Sequence, residues 1–181
     1  MRSALLVRHC ESTGPEPHAP LTPAGHEQAR RLVERLRPLG VDHVASSPLT
    51  RARQSSEPFA RELGLTTSVD DRLAERRLAS VAVPDLADEV RRSFEDPDRR
   101  LPGGESGREA KARGCTAIDG LLRSAHRLPL AVTHGQLLAW ILRSIDGAFG
   151  FAEWRTLSNP DVYRIDVAPD GNRRFTRLPS S

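Results

Sequence analysis

Lysine is almost absent from this chain of 181 residues: Lys111 stands alone against 26 arginines. The positive charge is therefore carried by guanidinium groups, whose planar fork suits phosphate and carboxylate. Aromatic residues make up only 4% of the chain, and the arginines are spread along it. Without stacking platforms or a basic cluster, a nucleic-acid groove is excluded. The two cysteines, Cys10 and Cys115, have neither CxxC nor zinc-ligand spacing. His18, His26, His43 and His126 are scattered and offer no metal site. No segment approaches the roughly 18 apolar residues of a membrane span. The run Ala4–Val7 between Arg2 and Arg8 is too short for a signal peptide. The chain therefore reads as cytoplasmic, with no membrane partner.

What remains is ordinary globular composition: 38% hydrophobic residues and a net charge of +3. One domain over residues 1–181 is expected at this length. Ala4–Val7 reads as a buried strand. Thr22 followed by Pro23 predicts a helix start, with Ala29, Leu32, Val33 and Leu36 on its apolar face. Val41–Ser46 reads as a second strand. Ser47-Pro48 repeats the cap-and-proline signal for a helix that stops at Gly64. Thr66–Val69 reads as a third strand. Leu86, Val90 and Phe94 suggest a helix in the less regular middle. A longer helix is expected over residues 105–125, with Cys115, Ile118, Leu122 and Ala125 on one face. Leu130–Thr133 reads as a fourth strand with a helix directly after it. Val162–Val167 and Arg174–Leu178 flank a turn at Pro169–Asn172. Strands alternating with helices predict an α/β fold: a mostly parallel central sheet covered on both faces, a three-layer α/β/α sandwich. Such sheets bind ligands beyond the carboxyl ends of their strands.

Four such ends carry reactive side chains. Arg8-His9 follows the first strand, Ser47 to Arg51 the second, Leu73-Ala74-Glu75 the third, and His134 the fourth. If these ends converge, two guanidiniums, two imidazoles and one carboxyl surround a space suited to a phosphoryl group. A neutral imidazole can attack phosphorus and carry the phosphoryl group covalently. Arg8 and Arg51 can stabilise the equatorial oxygens in forked fashion. His134 can add a donor when protonated. Glu75 can give a proton to the leaving oxygen, then take one from water, a role that dry surroundings would favour. An ion pair of Glu75 with Arg72, Arg76 or Arg77 is the competing reading. Gly103-Gly104 has no Gly-Lys-Ser/Thr after it and is not a P-loop. A Cys10 nucleophile would need an arginine six positions on, where Glu16 stands.

The ordered motifs resemble those of the histidine phosphatase superfamily, also called the phosphoglycerate mutase-like family. They are Leu-Val-Arg-His-x-Glu-Ser at Leu6–Ser12, Leu-Thr-x-x-Gly-x-x-Gln-Ala at Leu21–Ala29, and Ser-Ser-Pro-Leu-x-Arg-Ala at Ser46–Ala52. Leu73–Glu75, Pro102–Ser106, Thr133–Gly135 and Ser158-Asn159 complete the series. The resemblance implies a phosphoglycerate mutase-like three-layer fold and no metal or other cofactor. It implies His9 as the phosphorylated nucleophile, Arg8, Arg51 and His134 as the rest of the phosphate pocket, and Glu75 as proton donor. Cys10 stands where the family has glycine, a side chain expected to narrow the space beside His9. Pro15 stands where many members have asparagine. The expected activity is phosphomonoester hydrolysis on a small phosphorylated metabolite. Phosphoglycerate mutase-type transfer, protein phosphohistidine phosphatase activity and non-catalytic phospho-ligand binding are the alternatives. Mutases resembling this chain carry added enclosing segments, for which 181 residues leave little room.

Overall fold

The first strand, β1 (Arg2–Arg8), lies inside a six-stranded sheet in the computed structural model, which describes residues 2–179. The others are β2 (His43–Ser46), β3 (Thr67–Val69), β4 (Pro129–Thr133), β5 (Asp161–Val167) and β6 (Arg173–Arg177). Their spatial order is β3-β2-β4-β1-β5-β6. The four strands β3, β2, β4 and β1 are parallel, and β5 runs antiparallel to both β1 and β6. Every residue of β4 and five of the seven in β1 are buried. Both strands lack polar alternation, as strands covered on two faces require.

The two faces of β1 feed two apolar layers. Leu5 and Val7 pack with Val44, Leu130 and Val132 beneath Leu32, Leu36 and Phe59. The last three belong to α1 (Pro23–Leu36) and α2 (Thr50–Glu62). Leu6, Ala45 and Ala131 face the opposite layer with Val90, Ile118, Leu137, Trp140 and Ile141. That layer is built by α3 (Leu86–Glu95), α4 (Gly107–Arg123) and α5 (Gly135–Arg143), with α6 (Phe151–Arg155) at its side. The expected three-layer α/β/α architecture is therefore present.

Local signals explain most boundaries. Thr22 caps α1, its Oγ1 accepting from Gly25 N at 2.9 Å, with Pro23 in the first turn. Ser106 and Glu109 form a capping box on α4. Gly64 (φ 65°) follows α2 in the left-handed region. Three expectations need correction. Ser47 does not cap α2, which starts at Thr50; its Oγ accepts from Leu49 N at 3.2 Å, ahead of the helix, and meets His134. Leu86 is 48% exposed, leaving Val90 and Phe94 as the buried residues of that α3 series. The buried stripe of α4 is Ala110, Gly114, Ala117, Ile118 and Leu122, and Ala125 lies beyond the helix. The short helix α6 carries no buried residues and escapes a periodicity reading.

Two glycines of α4 make opposite demands. A Cβ on Gly107 would overlap the Trp140 ring, whereas Gly120 has nothing within 4 Å. Gly107→Ala should cost about 2 kcal/mol by overpacking, and Gly120→Ala should gain up to about 1 kcal/mol of helix propensity. Urea midpoints of the two variants against the parent check this; the opposite ranking would refute the packing at Trp140.

Candidate functional site

Strand register places the two histidines together. Arg8 of β1 lies opposite Thr133 of the parallel neighbour β4, and His9 and His134 are the next residues on each strand. His9 N donates to Thr133 O at 2.9 Å, and the two rings sit 5.0 Å apart between centroids. On the other side of β4, Ser46 lies opposite Val132, and Ser47 N donates to Val132 O. The Ser47 hydroxyl therefore meets His134 Nε2 at 2.7 Å. Arg51 enters from the first turn of α2. The chain ends after β1, β2 and β4 thus meet at one point, as parallel strands make possible.

His9 is held in one orientation. Its Nδ1 lies 2.6 Å from Cys10 O, an acceptor, so Nδ1 carries the hydrogen and Nε2 presents its lone pair. Arg51 Nε donates to that Nε2 at 3.2 Å. Asn159 Nδ2 donates to the His9 carbonyl at 2.7 Å, fixing the backbone from the β5 side. Burial pushes the His9 pKa down to about 4, and the nearby Arg51 and Arg8 guanidiniums act in the same direction. His134 is completely buried. Burial, then the neighbouring His9 ring and the charges of Arg51 and Arg8, holds its pKa well below the usual imidazole range. Its Nδ1 is buried and has no protein partner among the described residues. A Ser47 hydroxyl that donates to Nε2 leaves Nδ1–H as a donor on a neutral ring. Protonation of His134, expected from the sequence, is thus not needed for it to donate.

The arginines are anchored through backbone carbonyls. Arg8 Nη1 donates to Leu157 O at 2.8 Å and Ser158 O at 3.4 Å, while its Nε is buried without a protein partner. Arg51 Nη1 donates to Pro15 O at 3.2 Å and Glu16 O at 2.9 Å. Pro15, in the position where asparagine was expected, thus contributes its carbonyl to the orientation of Arg51. Carbonyl partners steer a guanidinium without neutralising it, so both retain charge for an anion. Cys10 is fully buried within the apolar layer under α1 and α2, and its N donates to Ser55 Oγ at 2.9 Å. Burial raises its thiol to about 11, which leaves it inert as a nucleophile.

Glu75 follows the short 3₁₀ turn Asp71–Leu73. The loop is tied to β4 by Thr133 Oγ1, which donates to Leu73 O at 2.8 Å. Arg113 Nη1 donates to Arg72 O and Ala74 O and grips Glu105 with its other nitrogens. The competing ion-pair reading does not hold: Glu75 makes no salt bridge among the described residues. Its Oε1 accepts from Arg76 N at 2.8 Å and Leu137 N at 3.0 Å, and its Oε2 accepts from Gln136 N at 3.1 Å. Two of these donors are free N–H groups of the first turn of α5, where the helix dipole favours a carboxylate. The half-buried carboxylate therefore lies among N–H donors rather than in a dry apolar pocket. Its charge acts on both Arg8 and Arg51.

Arg76 has a structural part that sequence reasoning missed. It is almost fully buried; Nε donates to Glu105 O at 2.9 Å and Nη1 to Ser93 Oγ at 2.7 Å. It clamps the Glu75 loop to α3 and to the Pro102–Ser106 segment. Nothing in an arginine-rich stretch distinguishes this residue before the fold is known. A groove of about 380 Å³ along α2 and β3 includes Gln54, Glu57 and Val69 but none of the site residues. A cavity of about 430 Å³ adjoins Glu75 instead. Among the described residues, no three His, Cys, Asp or Glu side chains are placed to hold a metal ion, and no helix is long and apolar enough to cross a membrane.

The lowered His9 pKa has a consequence for stability. Between the ordinary value of 6.5 and about 4 the unfolded chain takes up a proton that the folded ring refuses. Stability is therefore present above pH 6.5 and is lost as pH falls toward 4. A His9→Gln variant should escape about 3 kcal/mol of this loss. Urea unfolding of both proteins at pH 7 and pH 4.5 measures the difference; identical acid sensitivity would contradict a neutral buried His9.

Known proteins of similar sequence identify the family. The model of the histidine phosphatase superfamily (branch 1) matches residues 4–177. A probable phosphoglycerate mutase GpmB of Klebsiella pneumoniae is 33% identical over 183 aligned positions, covering 92% of this chain and 85% of the relative. A mycobacterial glucosyl-3-phosphoglycerate phosphatase, solved with inorganic phosphate, has a TM-score of 0.79 at 22% identity, covering 99% of this chain and 96% of that one. A phosphoserine phosphatase mutant from Entamoeba histolytica, solved with phosphoserine, has a TM-score of 0.78 at 18% identity, with coverage of 97% and 95%. The strand-end histidines, the ordered motifs and the family match lead to one conclusion: the chain belongs to branch 1 of the histidine phosphatase superfamily.

Proposed function

We propose that the chain is a metal-independent phosphomonoester hydrolase that acts on a small phosphorylated metabolite through a phosphohistidine at His9. The observation that carries this reading is the neutral His9 ring, its Nε2 lone pair held beside Arg51 in a site shared with Arg8 and the unpartnered His134 Nδ1. The lone pair of Nε2 attacks phosphorus, an N–P bond forms, and the P–O bond to the alcohol breaks. Arg8, Arg51 and His134 Nδ1–H receive the charge that spreads over the equatorial oxygens. Glu75, entering the cycle as the carboxylic acid, gives the leaving oxygen its proton and is left as the carboxylate. Oε2, which accepts a single N–H, has more room for that proton than Oε1, which accepts two. Water then attacks the phosphohistidine while Glu75 takes its proton. The N–P bond breaks, and inorganic phosphate and neutral His9 are released. The sequence of steps returns every group to its starting form.

The named relatives also keep mutase-type transfer in view. In that reaction the phosphohistidine returns its phosphoryl group to a second hydroxyl of the substrate. Phosphorus NMR of a phosphoglycerate incubation separates the two: growth of inorganic phosphate marks hydrolysis, and growth of an isomeric ester marks transfer.

Two experiments test the mechanism. Turnover of p-nitrophenyl phosphate should persist in EDTA and fall at least 10³-fold in His9→Ala, an estimate set by loss of the nucleophile. A His9→Ala protein as active as the parent would end the proposal. Glu75→Gln should slow alkyl phosphates, with their poor leaving groups, about 10²-fold or more, and slow p-nitrophenyl phosphate far less. Equal losses across a leaving-group series would remove Glu75 from the proton-transfer role.

A further inference from the structure

Cys10 is enclosed in the apolar layer under α1 and α2, and its backbone N–H needs a partner there. That partner is Ser55, one turn beyond Arg51 in α2 and itself almost fully buried. Ser55 Oγ accepts from Cys10 N at 2.9 Å and donates to Arg51 O at 2.7 Å. His9 Nδ1 lies 2.6 Å from Cys10 O, and Arg51 Nε lies 3.2 Å from His9 Nε2. Together these contacts close a ring that runs from His9 to Cys10, to Ser55, to Arg51 and back to His9.

Every link of the ring has a fixed direction. A carbonyl oxygen cannot donate, so the hydrogen on His9 Nδ1 points to Cys10 O, and the hydroxyl hydrogen of Ser55 points to Arg51 O. An arginine cannot accept, so His9 Nε2 offers its lone pair to Arg51 Nε–H. Both nitrogens of the proposed nucleophile are thus tied into one circuit. Ser55 supplies the only side chain in it that is neither the imidazole nor the guanidinium. It bridges the peptide that orients Nδ1 to the backbone of the arginine that meets Nε2. Its neighbour Ser56 is just as buried, but Ser56 Oγ donates to Arg53 O at 2.9 Å and bonds only within α2.

We infer that Ser55 is a positioning residue for the proposed hydrolysis, holding His9 in its Nδ1–H form with the Nε2 lone pair set against Arg51. The role rests on the hydrolase reading, in which that lone pair attacks phosphorus. Without the hydroxyl, Cys10 N–H is stranded in an apolar layer, and the peptide that orients Nδ1 is free to turn. The ring then loses the hydrogen bond that selects one tautomer.

The test compares Ser55→Ala, Ser55→Thr and Ser56→Ala with the parent, by turnover of p-nitrophenyl phosphate and by nitrogen NMR of the His9 imidazole, assigned by difference from His9→Gln. Ser55→Ala should mix the two tautomers and lower kcat about tenfold with KM changed less than about twofold, since misplacing a reacting atom by about 1 Å costs about 10²-fold. Ser55→Thr keeps a hydroxyl that can bond the carbonyl one helical turn back, so it should restore both the rate and the Nδ1–H signal. Ser56→Ala removes a buried serine from the same helix and should change neither. If Ser55→Ala does not fold, Ser55→Thr against Ser55→Val, alike in shape and different in the hydroxyl, makes the same comparison. A Ser55→Ala protein that keeps the parent's tautomer or its kcat overturns the inference, as does an equal loss in Ser56→Ala. The NMR measurement needs no turnover. A parent that releases no phosphate from p-nitrophenyl phosphate ends the hydrolase reading, whereas a tautomer change confined to Ser55→Ala still shows that Ser55 positions His9.

Discussion

The parallel pairing of β1 with β4 is the constraint on which the site depends. Because Arg8 faces Thr133, the residues that follow emerge side by side, and two imidazoles that are 125 positions apart in the chain come within van der Waals reach. A slip of one residue would turn every side chain of β1 to the opposite face, exchanging Leu5 and Val7 with Leu6 between the two apolar layers. The hydrophobic packing of both faces therefore guards the geometry of the polar end. Stability and chemistry share one register, although they use different residues.

Desolvation then sets the electrostatics. Two imidazoles and two guanidiniums lie close together with little water, an arrangement that penalises extra positive charge. The histidines yield by remaining neutral. The arginines, which cannot deprotonate, are steered by carbonyls of the Gly14–Pro20 loop and the segment before β5. A dianion entering such a place offsets the repulsion among the cations. The same repulsion orders what each residue can do: a ring kept neutral by its neighbours keeps a lone pair for the proposed attack, and guanidiniums without carboxylate partners keep their charge for the proposed anion.

Much of this was legible in the residues alone, for physical reasons that can be named. Continuous apolar runs such as Ala4–Val7 and Leu130–Thr133 mark strands buried on both faces, and a histidine directly after each marks their carboxyl ends. Thr22-Pro23 announced a helix because capping is a local interaction. Ser47-Pro48 carried the same local signal and misled: its hydroxyl accepts from Leu49 N before the helix begins and faces His134, 87 residues away in sequence. The surroundings of Glu75 were equally hidden: two of its three donors belong to a helix that starts 60 residues later, and no spacing within Leu73–Glu75 reports them. Cys10 was expected to crowd the space beside His9. It lies instead in the apolar layer beneath α1 and α2, a placement that depends on which way one strand end turns.

The bond from Asn159 to the His9 carbonyl ties the last third of the sheet to its first strand. β1 is made before its antiparallel neighbour β5, which is contributed by residues 161–167. A nascent chain that has displayed both histidines and both arginines still lacks the clamp on the residue proposed to attack phosphorus. Pocket assembly is thus coupled to synthesis of β5, and a ribosome-bound fragment halted before residue 159 would carry every proposed reactive group in an unfinished frame.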